Sequence, residues 1–198
     1  MMARRRWGRE PDLPTLGQLE KEQKRLDYRK SYGSSLLGTI YALIIVAGIS
    51  MLLSSLFISV LKIYGDSMEP GLESGDTVVA IKSTRFKRGD IAAFYYNNKI
   101  LVKRVIALPG EVVEIDEKGI VSVNGTPLEE PYVKELSLGE CDIRMPYEVP
   151  EERLFVIGDN RQDSADSRAV AVGCVSAEQL IGKVIWKVWP WQRFGPVR

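Results

Sequence analysis

Residues 91–125 read IAAFYYNNKILVKRVIALPGEVVEIDEKGIVSVNG, and their punctuation decides the architecture of most of the chain. Short runs rich in Val, Ile, Ala and aromatic residues (91–96, 100–107, 112–116 and 120–123) are separated by Pro109-Gly110 and Lys118-Gly119 and closed by Asn124-Gly125. Runs of that length and type, bounded by Gly, Pro and Asn, are strand and turn signals. Outward from this stretch, residues 77–82, 153–157 and 183–188 have the same character, Gly89-Asp90 and Gly158-Asp159 add turns, and only 177–181 hints at a helix. Residues 62–198 are therefore expected to be mainly β, as folded-over antiparallel sheets or a barrel-like domain.

Further upstream the pattern changes. Residues 31–61, SYGSSLLGTIYALIIVAGISMLLSSLFISVL, carry no charge. A bilayer core needs about 20 apolar residues of helix, and the best span is 36–61. A buried core helix rarely runs so far without one charge. A cleaved secretion signal has a shorter apolar region followed by small residues, whereas Leu61-Lys62-Ile63-Tyr64 follows here. The segment reads as an uncleaved membrane anchor. It divides the chain into a basic tail (1–30), a transmembrane anchor (31–61) and a β-rich domain (62–198).

Charge orients the anchor. Residues 1–30 hold nine Lys/Arg against five Asp/Glu, and residues 62–198 hold 18 bases against 21 acids. Lys21, Lys24, Arg25, Arg29 and Lys30 precede the span, and Lys62 follows it alone. The positive-inside bias leaves the N-terminus in the cytoplasm and the β domain outside a cell membrane crossed once. Thr15-Leu16-Gly17-Gln18 reads as a capping box for a short helix in the tail, with Leu16, Leu19 and Leu26 near one face.

Composition excludes whole classes of chemistry. The chain of 198 residues has 27 Lys+Arg, 26 Asp+Glu and no histidine. Near-neutral charge argues against nucleic acid as a partner. Without histidine there is no Ser-His-Asp triad, no Cys-His pair and no His-ligated zinc. Two cysteines, Cys141 and Cys174, are too few for a disulfide scaffold or a four-thiolate metal site. Outside the membrane they would meet oxidising conditions that permit a disulfide, and their 33-residue separation does not decide it.

An enzyme built from this chain needs a base made from Lys, Asp, Glu or Tyr. Lysine serves only when neutral, which requires burial among apolar groups. Lys103 lies in the apolar run Ile100-Leu101-Val102-Lys103-Arg104-Val105, sharing a strand face with Leu101, Val105 and Ala107 by period-2 alternation. The strand alone is equally read as an edge whose lysine stays charged in water. A nucleophile is offered by Tyr64-Gly65-Asp66-Ser67-Met68-Glu69-Pro70, where Gly, Asp and Pro imply a tight turn presenting one hydroxyl and nearby backbone N–H groups. By itself this is also an ordinary turn after a membrane helix. The third piece is Gly158-Asp159-Asn160-Arg161-Gln162-Asp163-Ser164-Ala165-Asp166-Ser167-Arg168. It lacks the alternate ligands, central Gly and closing Glu of a calcium loop, so no metal is expected, and internal Asp–Arg pairs are the better reading.

The order of these pieces, together with Lys103-Arg104-Val105-Ile106-Ala107-Leu108-Pro109-Gly110, Arg88-Gly89-Asp90-Ile91 and an N-terminal anchor, resembles the bacterial type I signal peptidases, membrane-bound serine endopeptidases of the secretory pathway. The resemblance runs from about Leu36 to Pro196. It implies a Ser/Lys dyad without a cofactor, with Ser67 the nucleophile and Lys103 the general base. Ser164 matches the serine that orients the lysine, and Asp166, paired with Arg168, the acid that holds the loop. Four positions depart from the family pattern. Gly71 stands where many members carry Thr, Ala107 where Gly is usual, Glu111 where Asp is usual, and Gly65 where some members place a Ser hydroxyl in the oxyanion hole.

The same resemblance implies preprotein substrates cut after small-x-small sites, close to the bilayer. An extended substrate is expected to pair with residues 62–66 and 100–103, with Met68, Leu72 and Leu101 walling shallow pockets. Rival readings are a LexA-like self-cleaving repressor, which would bring a DNA-binding domain in place of the anchor, a dedicated processing peptidase, and a non-enzymatic membrane-anchored β module that binds partners. Trp186, Trp189, Trp191 and Phe194 crowd the C-terminal end, as either interfacial anchors or core contacts.

Overall fold

The computed structural model describes residues 15–197, apart from the side chains of residues 29–34. The basic cluster at Arg4, Arg5, Arg6 and Arg9 lies outside the described residues. Helix α1 runs without interruption over Leu16–Phe57, so the short tail helix expected from the capping box is the first part of one long helix. The box is half formed: the Thr15 N–H donates to Gln18 Oε1 at 2.9 Å. Within α1, Ser35–Phe57 is apolar enough to cross a membrane, with mean hydropathy 2.4 and none of it buried in protein.

The uncharged run does not stay helical to its end. The helix stops at Phe57, and β1 (Ile58–Lys62) pairs antiparallel with β2 (Thr77–Ile81) over five residues. Residues 58–61, placed in the span by hydropathy, therefore belong to the sheet. Hydropathy cannot separate the two because the strand continues the apolar run, with Ile58 and Val60 supplying β-branched side chains. Lys82 completes the boundary. Its N–H donates to the Phe57 carbonyl at 2.9 Å and its Nζ to the Ser55 carbonyl at 3.4 Å, satisfying acceptors at the helix end.

Residues 54–198 form one compact unit of two antiparallel sheets. The remaining elements are β3 (Ile91–Tyr96), β4 (Lys99–Ala107), β5 (Val112–Ile115), β6 (Val121–Val123), β7 (Thr126–Pro127), β8 (Tyr147–Glu148), β9 (Arg153–Ile157), β10 (Val175–Ser176), β11 (Leu180–Trp189) and β12 (Gly195–Pro196). The larger sheet has the order β1-β2-β11-β3-β4-β9-β10, with β12 on β11, and the smaller has β7-β6-β5-β8. All seven strands expected from the sequence are present within one to three residues at each end. The helix expected at 177–181 is a single 3-10 turn, Ala177–Gln179, after which the chain enters β11.

Two features of this fold position the site. The β3–β4 hairpin turns on Asn97 (φ 43°) and Asn98 (φ 63°), left-handed conformations that Asn tolerates, and this sets Ala92 opposite Lys103. Second, β4 pairs with β9 only from Arg104 onward, so on that side the edge of residues 99–103 is open. The outer edge of β1 is open as well. One core cluster, including Ile63, Met68, Leu72, Val78, Ile91 and Val184, packs beneath the turn joining β1 to β2.

Candidate active site

Ser67 sits in the turn between β1 and β2. The base of that turn is closed by the Ile63 N–H donating to the Asp76 carbonyl (2.8 Å) and the Gly75 N–H donating to the Ile63 carbonyl (3.0 Å). Gly65 lies at φ +86°, a conformation that favours glycine and re-aims the chain before Ser67. Met68 (1% exposed) and Leu72 (0%) pin the turn to the core, leaving Ser67 half-buried at its crest. Below it, buried Lys187 donates to the Gly71 carbonyl at 2.9 Å and pairs with Asp76 at 3.1 Å. Among the described residues, the N–H groups of Ser67 and Met68 have no acceptor. They are free to receive a developing oxyanion.

Lys103 is 2% exposed in the middle of β4. That burial overturns the reading of a solvated edge lysine. Desolvation lowers its pKa from 10.5 to about 8, with Arg168 adding to the shift and Asp166, Asp159 and Asp163 opposing it. No group among the described residues hydrogen-bonds its Nζ. A buried amine near pH 8, without an acceptor, is suited to take up a proton.

The loop from Gly158 to Arg168 ties these two residues together. Asn160 donates its backbone N–H to the Ser67 carbonyl (3.1 Å) and its side-chain amide to the Asp66 carbonyl (3.3 Å). Gly158 follows β9 one residue beyond the Arg104–Ile157 pair, next to Lys103 in register. A Cβ there would collide with the Ser164 hydroxyl and lie 2.5 Å from the Ser67 carbonyl oxygen. The Ser67 carbonyl and the Ser164 side chain thus flank Gly158, which stands opposite Lys103 in register. The Ser164 Oγ is buried and has no hydrogen-bond partner among the described residues.

The expected Asp–Arg bracing is present. Asp166 Oδ1 accepts from Arg168 Nε at 2.8 Å and its Oδ2 from Arg168 Nη2 at 2.9 Å, with both side chains almost wholly buried. Asp166 Oδ2 also accepts the Gly158 N–H (3.1 Å), and Arg168 Nη1 donates to the carbonyls of Leu138 (2.7 Å) and Arg161 (3.0 Å). With the Arg168 backbone N–H donating to Oδ1 at 3.2 Å, the carboxylate has four donors, and the guanidinium reaches two carbonyls besides, the pairing that lets charges stay inside a protein.

Sequence reasoning assigned no role to several residues that the structure places here. Arg104, next to Lys103, is 1% exposed and grips Asp159 through two hydrogen bonds of 2.7 and 2.6 Å, while its guanidinium lies 3.8 Å from the Tyr132 ring centre. Arg161 pairs with Glu130 in the same two-point manner. The one signal available was two adjacent cations inside an apolar strand, because an alternating strand cannot send both to the same side.

A cleft of roughly 740 Å³ opens beside Ser67, walled by residues 60–65, Met68 and the strand segment Lys99, Ile100, Leu101, Val102. Met68 and Leu101 line it as expected. Leu72 does not: it is fully buried, packed in the cluster under the turn, because the chain reverses at Pro70-Gly71 and points it inward. Trp189, Trp191 and Phe194 are 54%, 71% and 52% exposed, which removes them from the core, and Trp186 is 37% exposed. Cys141 and Cys174 are free thiols, and Cys174 Sγ donates to the Tyr147 hydroxyl at 3.8 Å.

Comparison with known proteins places the chain in a family. Residues 36–189 match the family described as signal peptidase, peptidase S26. Signal peptidase I of Bacillus caldolyticus is 36% identical over 146 residues, covering 66% of this chain and 79% of that protein. Signal peptidase IB of Staphylococcus aureus is 30% identical over 179 residues, covering 80% of this chain and 92% of that protein. A crystal structure of a signal peptidase I from Enterococcus faecalis V583 is 32% identical, with 50% of this chain and 96% of that chain covered and a TM-score of 0.41. A turn-mounted serine and a buried lysine without histidine, on a chain matched over these lengths, make the protein a member of the S26 signal peptidase family.

Proposed function

We propose that this chain is a membrane-anchored serine endopeptidase that removes signal peptides from preproteins, with Ser67 as nucleophile and Lys103 as its base. The observation that carries the reading is Lys103: it is buried, its pKa is lowered to about 8, and it stands in register opposite Gly158, which lies against the Ser67 carbonyl and the unpaired Ser164 hydroxyl. Neutral Lys103 takes the Ser67 proton as Oγ bonds to the scissile carbonyl carbon. The carbonyl oxygen gains negative charge toward the Ser67 N–H. The Lys103 ammonium then protonates the departing amine as the C–N bond breaks, leaving an acyl-enzyme on Ser67. Lys103, neutral again, takes a proton from the water that attacks the ester carbonyl and returns it to Ser67 Oγ as the C–Oγ bond breaks. Ser164 accepts from the protonated amine and holds it in line, and the Asp166–Arg168 pair keeps Ser164 in place.

The open edges of β1 and of residues 99–103 support binding of an extended substrate by added-strand pairing. Alternate side chains of such a strand face the same way. Positions −1 and −3 then enter the cleft at Met68 and Leu101, and −2 points away. Shallow walls favour Ala, Gly or Ser. Lysines and arginines before the span support an orientation with the N-terminus in the cytoplasm and the peptidase domain on the outer face. The test is incubation of the full chain in detergent with a preprotein, comparing wild type with Ser67→Ala and substrates carrying Ala or Phe at −1. Wild type should cut only the Ala substrate, and Ser67→Ala neither. Efficient cutting after Phe would overturn the assignment.

A further inference from the structure

The aromatic residues at the end of β11 have no part in the site described above, yet they brace one of its supports. After Trp189 the chain makes a 3-10 turn, Trp191–Arg193, and doubles back as β12 on β11, with Trp186 opposite Pro196 and Lys187 opposite Gly195. The Val197 N–H donates to the Ile185 carbonyl at 3.0 Å and closes the reversal. The Phe194 ring meets Trp186 edge to face at 5.6 Å and stacks on Trp191 at 5.8 Å. Such ring pairs add attraction beyond the area they bury, and here they hold the bend that delivers Arg193.

Arg193 reaches back from that bend onto the turn bearing Ser67. Its Nη2 lies 2.7 Å from Asp76 Oδ1 and its Nη1 2.6 Å from Glu73 Oε2. Asp76 is wholly buried, and its Oδ2 accepts the Glu73 N–H at 3.0 Å beside the Lys187 ammonium. A buried carboxylate between two cations holds both firmly, because losing either partner leaves charge uncompensated. Lys187 also bonds the Gly71 carbonyl, so the two cations grip Gly71, Glu73 and Asp76 on one limb of the turn. A Cβ at Gly71 would stand 3.2 Å from Asp159 Oδ2, tighter than ordinary contact, so its backbone has no side chain of its own as an anchor. Movement there passes to the site directly, since the Leu72 N–H donates to the Met68 carbonyl at 2.8 Å. Apolar burial is non-directional, and holds Met68 and Leu72 down without fixing how the crest is rotated. The bonds to Gly71, Glu73 and Asp76 supply the direction.

We propose that Lys187 and Arg193 are positioning residues for Ser67, clasping its turn through Asp76 at the angle that presents the hydroxyl to the substrate carbonyl. They act through Gly71, Glu73 and Asp76 and not through the hydroxyl itself. The proposal rests on the peptidase reading above.

The test uses the full chain in detergent as wild type, Lys187→Met, Arg193→Gln and Lys187→Arg, with Lys183→Gln as control. Lys183 pairs with Asp90 at 2.6 Å and lies at the other end of the β11–β2 ladder, opposite Ile81. Preprotein cleavage well below the unfolding temperature should show kcat lowered about tenfold by Lys187→Met and by Arg193→Gln, with KM within about twofold. Lys187→Arg keeps a donor and a charge and should recover most of the loss, and Lys183→Gln should match wild type. The rise of kcat/KM with pH should stay centred at about 8 in every variant, because Lys103 is untouched. Hydrogen exchange in a Ser67→Ala background, which needs no turnover, should quicken at residues 63–76 alone when Lys187→Met is added. Should that variant fail to fold, Arg193→Gln, whose side chain is 31% exposed, gives the same readings. A lower unfolding temperature with wild-type kcat would make the clasp structural only and overturn the proposal. Exchange that quickens throughout the domain, or an equal loss in Lys183→Gln, would overturn it too. A wild type that cuts no preprotein sinks the peptidase reading, while the exchange measurement still decides whether the clasp holds the turn.

Discussion

The backbone N–H of Asn160 donates to the carbonyl of Ser67 across 3.1 Å, so the turn that carries the hydroxyl is hydrogen-bonded to the loop that follows β9. Neither residue has a partner nearby in sequence. The bond exists because β9 delivers Gly158 beside Lys103 and the chain then passes under the Ser67 turn. Substituting a side chain at either end leaves this backbone contact intact, so activity and folding can be separated by mutation.

Ser67→Ala and Lys103→Ala should each abolish preprotein cleavage while circular dichroism and thermal unfolding stay near wild type. Lys103→Arg should fail as well, since a guanidinium does not release its proton at working pH. Turnover by either Lys103 variant would remove the lysine from its role.

Activity should depend on pH through Lys103. The free enzyme needs the neutral amine, so kcat/KM should rise with pH and level off above an apparent pKa of about 8. Stability follows the same group with its own sign. The folded-state pKa lies below the unfolded value of 10.5, so between about 8 and 10.5 the unfolded chain holds more protons and stability increases with pH. Below about 8 the buried ammonium costs on the order of 3 kcal/mol. Lys103→Met should therefore raise the unfolding temperature at pH 6 and flatten its rise toward pH 10. Unchanged profiles would show that the amine is not desolvated.

Gly158→Ala should cost activity more than a surface Gly→Ala change. The added methyl collides with the Ser164 hydroxyl and presses on the Ser67 carbonyl, so the nucleophile's turn and the neighbouring serine must both move. A shift of ~1 Å at a reacting centre lowers turnover about a hundredfold. Steady-state kinetics should show a fall in kcat larger than any change in KM.

Ser164→Ala should likewise lower kcat with little change in KM, because the role proposed for its hydroxyl is to orient the lysine and not to bind substrate. Asp166→Ala acts through the fold. It strands the Arg168 charge in a buried site, a change that costs about 3–5 kcal/mol. Thermal unfolding in detergent should report that loss, whereas Ser164→Ala should unfold close to wild type. Kinetics of Ser164→Ala equal to wild type would refute the orienting role.

Much of this protein is legible in its residues alone. The absence of histidine, the uncharged run at 31–61 and the short β-branched segments with Gly and Asn turns are local properties, and local physics reads them: hydrophobic length, period and turn chemistry. They determine a β-rich chain preceded by one apolar helix long enough to cross a membrane, and they leave any base to be sought outside histidine. What they cannot decide is which groups lose water. Lys103 reads equally as an edge lysine until β3, β9 and the Gly158–Arg168 loop enclose it, and Leu72 reads as a pocket wall until the Pro70-Gly71 reversal turns it into the core. Residues 58–61 pass for membrane helix until β2 offers them a ladder. Burial, and with it a lysine pKa near 8, comes from partners far away along the chain, which is why it belongs to the tertiary structure.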